Sequence, residues 1–308
     1  MALTLAEAAK LTRNMLVRGV VEQIITESPI LNYLPFITVR GSGIDYNRES
    51  TIGTADSYAV GDTWTEDTPT FTKITVALKI MGGDADVDEF IQQTYSSEND
   101  IRAEVISAKS KAVGYRFNDL FYNGDATTSP KTFDGLKIMA GAINTAMAYS
   151  GNVRAATNGA NGFVLNLDDL DTFVDAVKPG NPEVLLMSKR SRRKLNSIKR
   201  ASGSGVLETS ATSFGRRVRT YNDVPVEVDE NILDTEAQGT SGAVCSSIYA
   251  VKFGFKTGLM GLQNGGIQVR AIGNLETKDA WRTRIKWYNS LALFRTWSLA
   301  RLAGVKIA

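Results

Sequence analysis

From Gly41 to Thr70 the only aliphatic side chains larger than alanine are Ile44, Ile52 and Val60, and Gly, Ser, Thr, Asp and Glu dominate. Ordering a residue costs about 1–2 kcal/mol of backbone entropy, and so few apolar groups cannot offset that by burial. Structureless loops of this length are uncommon inside compact domains. The stretch is therefore either disordered or a long hairpin arm that takes its order from a neighbouring chain. Tyr46, Tyr58 and Trp64 favour the arm, because aromatic residues are enriched at interfaces and scarce in disordered segments.

The flanking sequence has ordinary folding signals. Over Leu3–Ile25, Leu5, Ala8, Leu11, Met15 and Leu16 recur at helical spacing, and Ser28-Pro29 ends that pattern before a short strand-like run, ILNYLPFITV. Thr72 to Ile80 alternates, with Ile74, Val76, Leu78 and Ile80 expected on one buried face. The following GGDADVDEFIQQ is expected to turn into a short helix. Ser97 to Tyr122 is the longest helical pattern, capped by Ser97 or Asp100 and stopped by Asn123-Gly124-Asp125. Ile101, Val105, Ala108 and Ala112 form one of its stripes, and Ile106, Val113, Phe117 and Leu120 a second.

Small and polar residues from Ala140 to Gly162 mark a boundary between two halves. Beyond it, Asn166 or Asp168 caps a helix running to Val177, and Glu183–Met187 reads as a short buried strand. Ser188 opens a basic helix to about Arg200, and Ala201–Arg217 reads as a Gly/Ser-rich mobile loop. Strands are expected at Val224–Val228, Ser247–Phe255 and Ile267–Ile272. Another lies within Thr283–Leu299, where Ile285, Trp287, Leu291 and Leu293 alternate. Helices with mostly antiparallel strands, not in βαβα order, make the class α+β.

Composition narrows the chemistry. The 308 residues carry 35 basic and 33 acidic side chains, a net charge of +2, which is small for a dedicated nucleic-acid binder. Histidine is absent, which removes Ser-His-Asp and Cys-His nucleophiles and the commonest transition-metal ligand. The single cysteine, Cys245, sits in an apolar run and reads as a small buried hydrophobe. No apolar run is long enough to cross a membrane as a helix. The N-terminus lacks a secretory pattern, and with Met1 in place it is expected to be unprocessed.

No phosphate-binding GxxxxGK[ST] motif occurs, and Gly41-Ser42-Gly43 and Gly203-Ser204-Gly205 read as loops. Asp84, Asp86 and Asp88 resemble the start of a calcium loop. Glu89 and Tyr95 stand where that loop needs glycine and glutamate, so the segment reads as a solvated turn with helix-capping carboxylates. Asp168, Asp169 and Asp171 suit the first turn of a helix. The strongest charge run is Lys189, Arg190, Arg192, Arg193, Lys194, Lys199 and Arg200, with Leu195 and Ile198 as its apolar side. It reads either as a phosphate-contacting helix or as a solvated face that pairs with acids of an adjacent subunit. No catalytic constellation, metal site or cofactor is expected.

Three segments, in order, resemble the tailed-bacteriophage major capsid protein family, whose fold is shared with encapsulin shell proteins. DTWTEDTPTFTKITVALKIMGGDADVDEFIQQ resembles the return from that family's extended loop, with Trp64, Glu66, Pro69 and Phe71 preceding a strand from Ile74. IRAEVISAKSKAVGYRFNDLFYNGDATTSPKTFDGL is similar to its spine helix and the turn that follows, with matches at Asp119, Phe121, Gly124 and Gly135. TYNDVPVEVDENI resembles a strand carrying a Pro-Val pair, here Pro225-Val226.

The resemblance implies an N-terminal arm (1–36), an extended β-hairpin loop (37–73) and a peripheral domain with the spine helix (74–141). It further implies an axial domain (142–245) and C-terminal strands returning to the peripheral domain (246–308). It implies a non-enzymatic shell subunit of a virion capsid, assembled in the host cytoplasm as hexamers and pentamers around double-stranded DNA held by non-specific contacts. The implied partners are further copies of the chain, a portal and either a separate scaffolding protein or none, with no membrane. Arg48, Glu49, Tyr58, Trp64 and Glu66 are the candidate intersubunit contacts, and Arg190, Arg192, Arg193 and Lys194 the candidate subunit or DNA contacts. Some members weld their shells by a lysine–asparagine bond from the extended loop. No lysine occurs from Ile37 to Thr72, so no such bond is expected. The alternatives are an encapsulin-like compartment and a nucleic-acid-binding protein using helix 189–200.

Overall fold

A computed structural model of the chain describes residues 19–20, 24, 28–51, 55–95, 101–146, 162–202, 208–211, 217–238 and 243–306. The N-terminal amphipathic pattern, the caps at Ser97 and Asp100 and most of the 201–217 loop lie outside the described residues. The elements in chain order begin with β1 (Phe36–Thr38), β2 (Gly43–Thr51), β3 (Thr70–Ala77), β4 (Lys79–Asp88), α1 (Glu89–Tyr95), α2 (Ile101–Asn123) and α3 (Leu136–Ala146). Next come β5 (Phe163–Val164), α4 (Leu167–Asp175), β6 (Val184–Met187), α5 (Lys189–Ser202), β7 (Glu208–Ala211), β8 (Arg217–Tyr221) and β9 (Val224–Val228). The chain continues through β10 (Glu236–Gln238), β11 (Ala243–Val251), β12 (Leu259–Leu275), β13 (Lys278–Leu293) and β14 (Leu299–Lys306).

Helix α2, 23 residues and about 35 Å long at 1.5 Å per residue, is the spine of the first half. Its second stripe is the buried one: Ile106, Val113, Phe117 and Leu120 face the core, while Ala108 and Ala112 of the first stripe face solvent. It packs on a four-stranded sheet ordered β1-β12-β13-β4. Phe117 sits at the centre, 4.8 Å from Trp287 of β13 and 6.3 Å from Phe36 of β1 between ring centroids. The helix ends where its chain must pass close to its own continuation. The Gly135 amide donates to the Gly124 carbonyl at 2.8 Å, and a Cβ on Gly124 would lie 2.3 Å from the Phe133 oxygen. Only glycine fits there.

The second half is built on an eight-stranded sheet along β5-β14-β11-β6-β9-β8-β7, with β10 added beside β11. Its central strands are buried on both faces, which explains the unbroken apolar run VLLM in β6. Leu185, Met187, Ile248 and Leu302 pack with Phe173 and Val174 of α4 and Leu195 of α5. Val184, Leu186, Tyr249 and Leu299 pack on the opposite side, into the core of the spine helix. Helix α4 begins where its sequence indicates: the Asn166 side chain accepts from the Asp169 amide at 2.6 Å.

Three sequence expectations change. The alternation through Ile80 is broken at Leu78, where pairing passes from β2 to β13 and the inward face is reset. Met81, Ala85 and Val87 are then buried, and Ile80 is 75% exposed. GGDADVD is strand rather than turn: Arg284 and Arg282 of β13 bind Asp84 and Asp86 as forks, at 2.7 and 2.6 Å from Nε, and only Asp88 caps α1. Finally, 246–308 divides between the two sheets. β12 and β13 join the spine-helix sheet, whereas β11 and β14 lie side by side in the other.

Candidate functional site

The hairpin of β2 and β3 carries the aliphatic-poor segment away from the body. The strands pair from Gly43 opposite Ala77 to Thr51 opposite Thr70, and 55–69 beyond them have no regular structure. The root is anchored by its few apolar residues. Ile44, Tyr46, Val76 and Leu78 pack on a small cluster of Val39, Met260, Leu262, Ala292 and Phe294. The Tyr46 ring lies 4.7 Å from that of Phe294, and its hydroxyl donates to the Leu293 carbonyl at 2.8 Å. Between root and body lies a groove of about 370 Å³ lined by Arg48, Ile74, Ile138 and Met139 among others.

The tip has no such support. Val60 is fully exposed and Trp64 is 76% exposed. Trp64 stacks on Tyr58 with ring centroids 4.3 Å apart, and the Tyr58 hydroxyl meets the Thr65 hydroxyl at 2.7 Å. The turn between them is pinned by Asp62, which accepts from the Ala59 amide at 2.6 Å. From Glu49 to Thr72 the chain carries five acids and no lysine or arginine: Glu49, Asp56, Asp62, Glu66 and Asp67.

The candidate contacts thus separate. Tyr58, Trp64 and Glu66 lie together on the exposed tip. Arg48 is at the root, where its guanidinium donates to the Leu293 carbonyl of its own chain. Glu49 is on β2 opposite Phe71. Missing from the sequence-derived set were Val60 and Phe71, both exposed, and Asp62; the absence of any cation after Arg48 was the available signal.

Helix α5 presents the second candidate group. Leu195 is fully buried against the second core, and this fixes which face the cations occupy. Lys189 pairs with Glu230, and Arg190 donates to the Asp234 carbonyl at 3.3 Å. Arg193 is exposed, Arg192 and Lys194 are half-buried, and Arg192 Nε has no hydrogen-bond partner.

Two polar networks tie the halves together. Asp229, after β9, is buried and accepts two bonds from the Asn118 amide of α2, both 2.8 Å, and one from the Tyr122 hydroxyl at 3.2 Å. Burial, with Asp229 beside it, pushes the Tyr122 phenol well up. Glu236 of β10 is bound by Arg301 of β14 at 2.9 Å and by Lys137 of α3 at 3.3 Å, with Ser247 as a further donor. Burial alone would raise the Glu236 carboxyl, but Arg301, Ser247 and Lys137 outweigh it and hold it below the ordinary glutamate value. Among the described residues no group of three His, Cys, Asp or Glu side chains is placed to hold a metal, and no helix is long and apolar enough to cross a membrane.

A spine helix on a four-stranded sheet, a second sheet domain and a projecting hairpin arm together define the tailed-phage major capsid fold. Solved structures agree. The holo-SrpI encapsulin complex from Synechococcus elongatus PCC 7942 matches with a TM-score of 0.66 at 17% identity, over 91% of this chain and 88% of that one. The capsid of a native GTA particle matches at 0.63 and 14% identity, over 91% of both chains. A Microbacterium phage Oxtober96 chain matches at 0.62 and 16% identity, over 90% of both. Among curated proteins no sequence matches. The chain belongs to the phage capsid family, whose model matches residues 9–253, and it is a shell protein.

Proposed function

We propose that the chain is the major capsid subunit of a tailed phage, which assembles into hexamers and pentamers and closes an icosahedral shell around double-stranded DNA. The observation that carries this reading is the arm: a hairpin anchored at its root, with Trp64 exposed on half-buried Tyr58 at a tip that lacks apolar support of its own. A contact from one copy's arm to the next copy's body is heterologous, and such contacts close rings when the rotation permits. A portal and a separate scaffolding protein belong to this reading, as does assembly in the host cytoplasm. The cations of α5 then meet either a neighbouring subunit or the packaged DNA through non-specific phosphate contacts.

An encapsulin-like compartment is the second reading, favoured by the similarity to the SrpI encapsulin over 91% of this chain. Expression of the chain alone and together with its neighbouring genes, followed by electron microscopy of the particles, separates the two. Closed shells with nuclease-protected DNA are expected for the capsid, and shells holding a co-purified protein for the compartment. A chain that stays monomeric under all conditions would overturn both. Reversing Arg192 and Arg193 to glutamate is expected to lower DNA retention if α5 faces the genome, and to lower shell yield if it faces a subunit.

A further inference from the structure

We propose that the groove between the arm root and the body binds a small amphipathic monoanion, a carboxylate on a hydrocarbon chain, with Arg48 as its anchor. The site goes beyond the shell reading, because a single subunit contains all of it.

Strand alternation puts Ile44, Tyr46 and Arg48 of β2 on one face of the hairpin, and Ile44 and Tyr46 show that this face packs on the body. An arginine therefore stands where the pattern would place a third apolar residue. Arg48 is half-buried, and its Nη2 donates to the Leu293 carbonyl with the Tyr46 hydroxyl 3.5 Å away. Its Nε is buried without a hydrogen-bond partner, and no carboxylate pairs with it among the described residues. A cation drawn out of water with no anion beside it is costly, so this position is one that an anion stabilises.

The rest of the lining defines which anion. Arg48, Lys79 and Asp134 border the groove, two cations and one carboxylate, which leaves one positive charge. Lys79 donates to the Pro130 carbonyl at 2.7 Å and Asp134 accepts from the Ala126 amide at 2.8 Å, so both are engaged within the chain, whereas Arg48 keeps an open donor. One net charge suits a monoanion, and a phosphate dianion would bring a second charge without a partner. Apolar walls come from Ile74 and Val76 of β3, Ile138 and Met139 of α3, Phe133 and Leu291. They favour a hydrocarbon body over a wholly polar one. The volume of about 370 Å³ falls within the range of small-molecule sites, about 300–1,000 Å³. Because the hairpin supplies one wall and α3 with β13 the other, an occupant also ties the arm to the body.

Calorimetric titration of the full chain with decanoate tests the site. About one molecule per chain is expected to bind, with a dissociation constant at or below about 1 mM. Acetate has the charge without the chain, and decanol the chain without the charge. Each is expected to bind about tenfold or more weakly than decanoate. Arg48→Met keeps an unbranched side chain but removes the cation, and Ile138→Trp fills the groove. Each should weaken decanoate by about tenfold or more while keeping the parent's melting temperature. At about ten times the dissociation constant, hydrogen exchange of the paired strands at residues 43–48 and 74–77 should slow by about tenfold, with α2 unchanged. Three results with the parent chain overturn the proposal: no saturable binding up to about 5 mM, acetate or decanol binding as well as decanoate, or no slowing of exchange at the arm root. A folded Arg48→Met chain that binds decanoate as the parent does overturns it too. The shell reading is tested separately, by whether particles form.

Discussion

The spine helix and the arm tip both carry aromatic side chains, and they use them in opposite ways. Phe117 is fully buried, with Phe36, Phe121, Phe133 and Trp287 around it. Trp64 stacks on Tyr58 and remains exposed. What differs is the local sequence. Aliphatic residues at helical spacing bring the spine's rings into a core, while the tip's neighbours are Gly, Thr, Asp and Glu. The first ring stabilises the subunit, and on the shell reading the second stabilises the contact between subunits.

This contrast can be broken at either end. Phe117→Ala is expected to cost about 3–5 kcal/mol of subunit stability through the cavity it leaves, read by denaturant unfolding of the unassembled chain. Asp229→Ala removes the acceptor of two buried groups, Asn118 and Tyr122, and should cost about 1–3 kcal/mol by the same measurement. Glu236 supplies a pH-dependent contribution. Its folded carboxyl lies below the ordinary value of about 4.3, so the contribution is complete above that pH and is lost as pH falls through the folded value. Unfolding curves for the parent and Glu236→Gln should therefore converge as pH falls below the ordinary glutamate range and through the folded value. The smallest effect on the lone subunit is Trp64→Ala, expected within about 0.5 kcal/mol, although shell yield should fall sharply. A large loss of subunit stability in that variant would mean the tip belongs to the body after all.

Much of the architecture was legible because single segments carried complete signals. The spine helix, the Asn166 cap, the buried VLLM strand and the basic helix were each specified by local spacing. The arm was legible for the opposite reason, its lack of aliphatics. β4 was hidden because its outer positions hold Gly82, Asp84 and Asp86, residues poor in strand preference, and Arg282 and Arg284 stabilise them from almost 200 positions away. β12 looked shorter than it is because Gly265 and Gly266, at φ of +71° and +66°, form a bulge that interrupts its alternation. Among the candidate contacts, Tyr58 and Trp64 were singled out by type and setting. The inward turn of Arg48 depends on the Leu293 carbonyl, which no local pattern brings near.

The position of β14 bears on how the molecule is made. This strand, Leu299–Lys306, is inserted between β5 and β11 and not added at an edge. During translation, β11 and β5 must wait for it with their hydrogen-bonding edges open, while the 47 residues separating β11 from β14 emerge from the ribosome. The half built on the eight-stranded sheet thus reaches its native form only after most of the polypeptide has been synthesised.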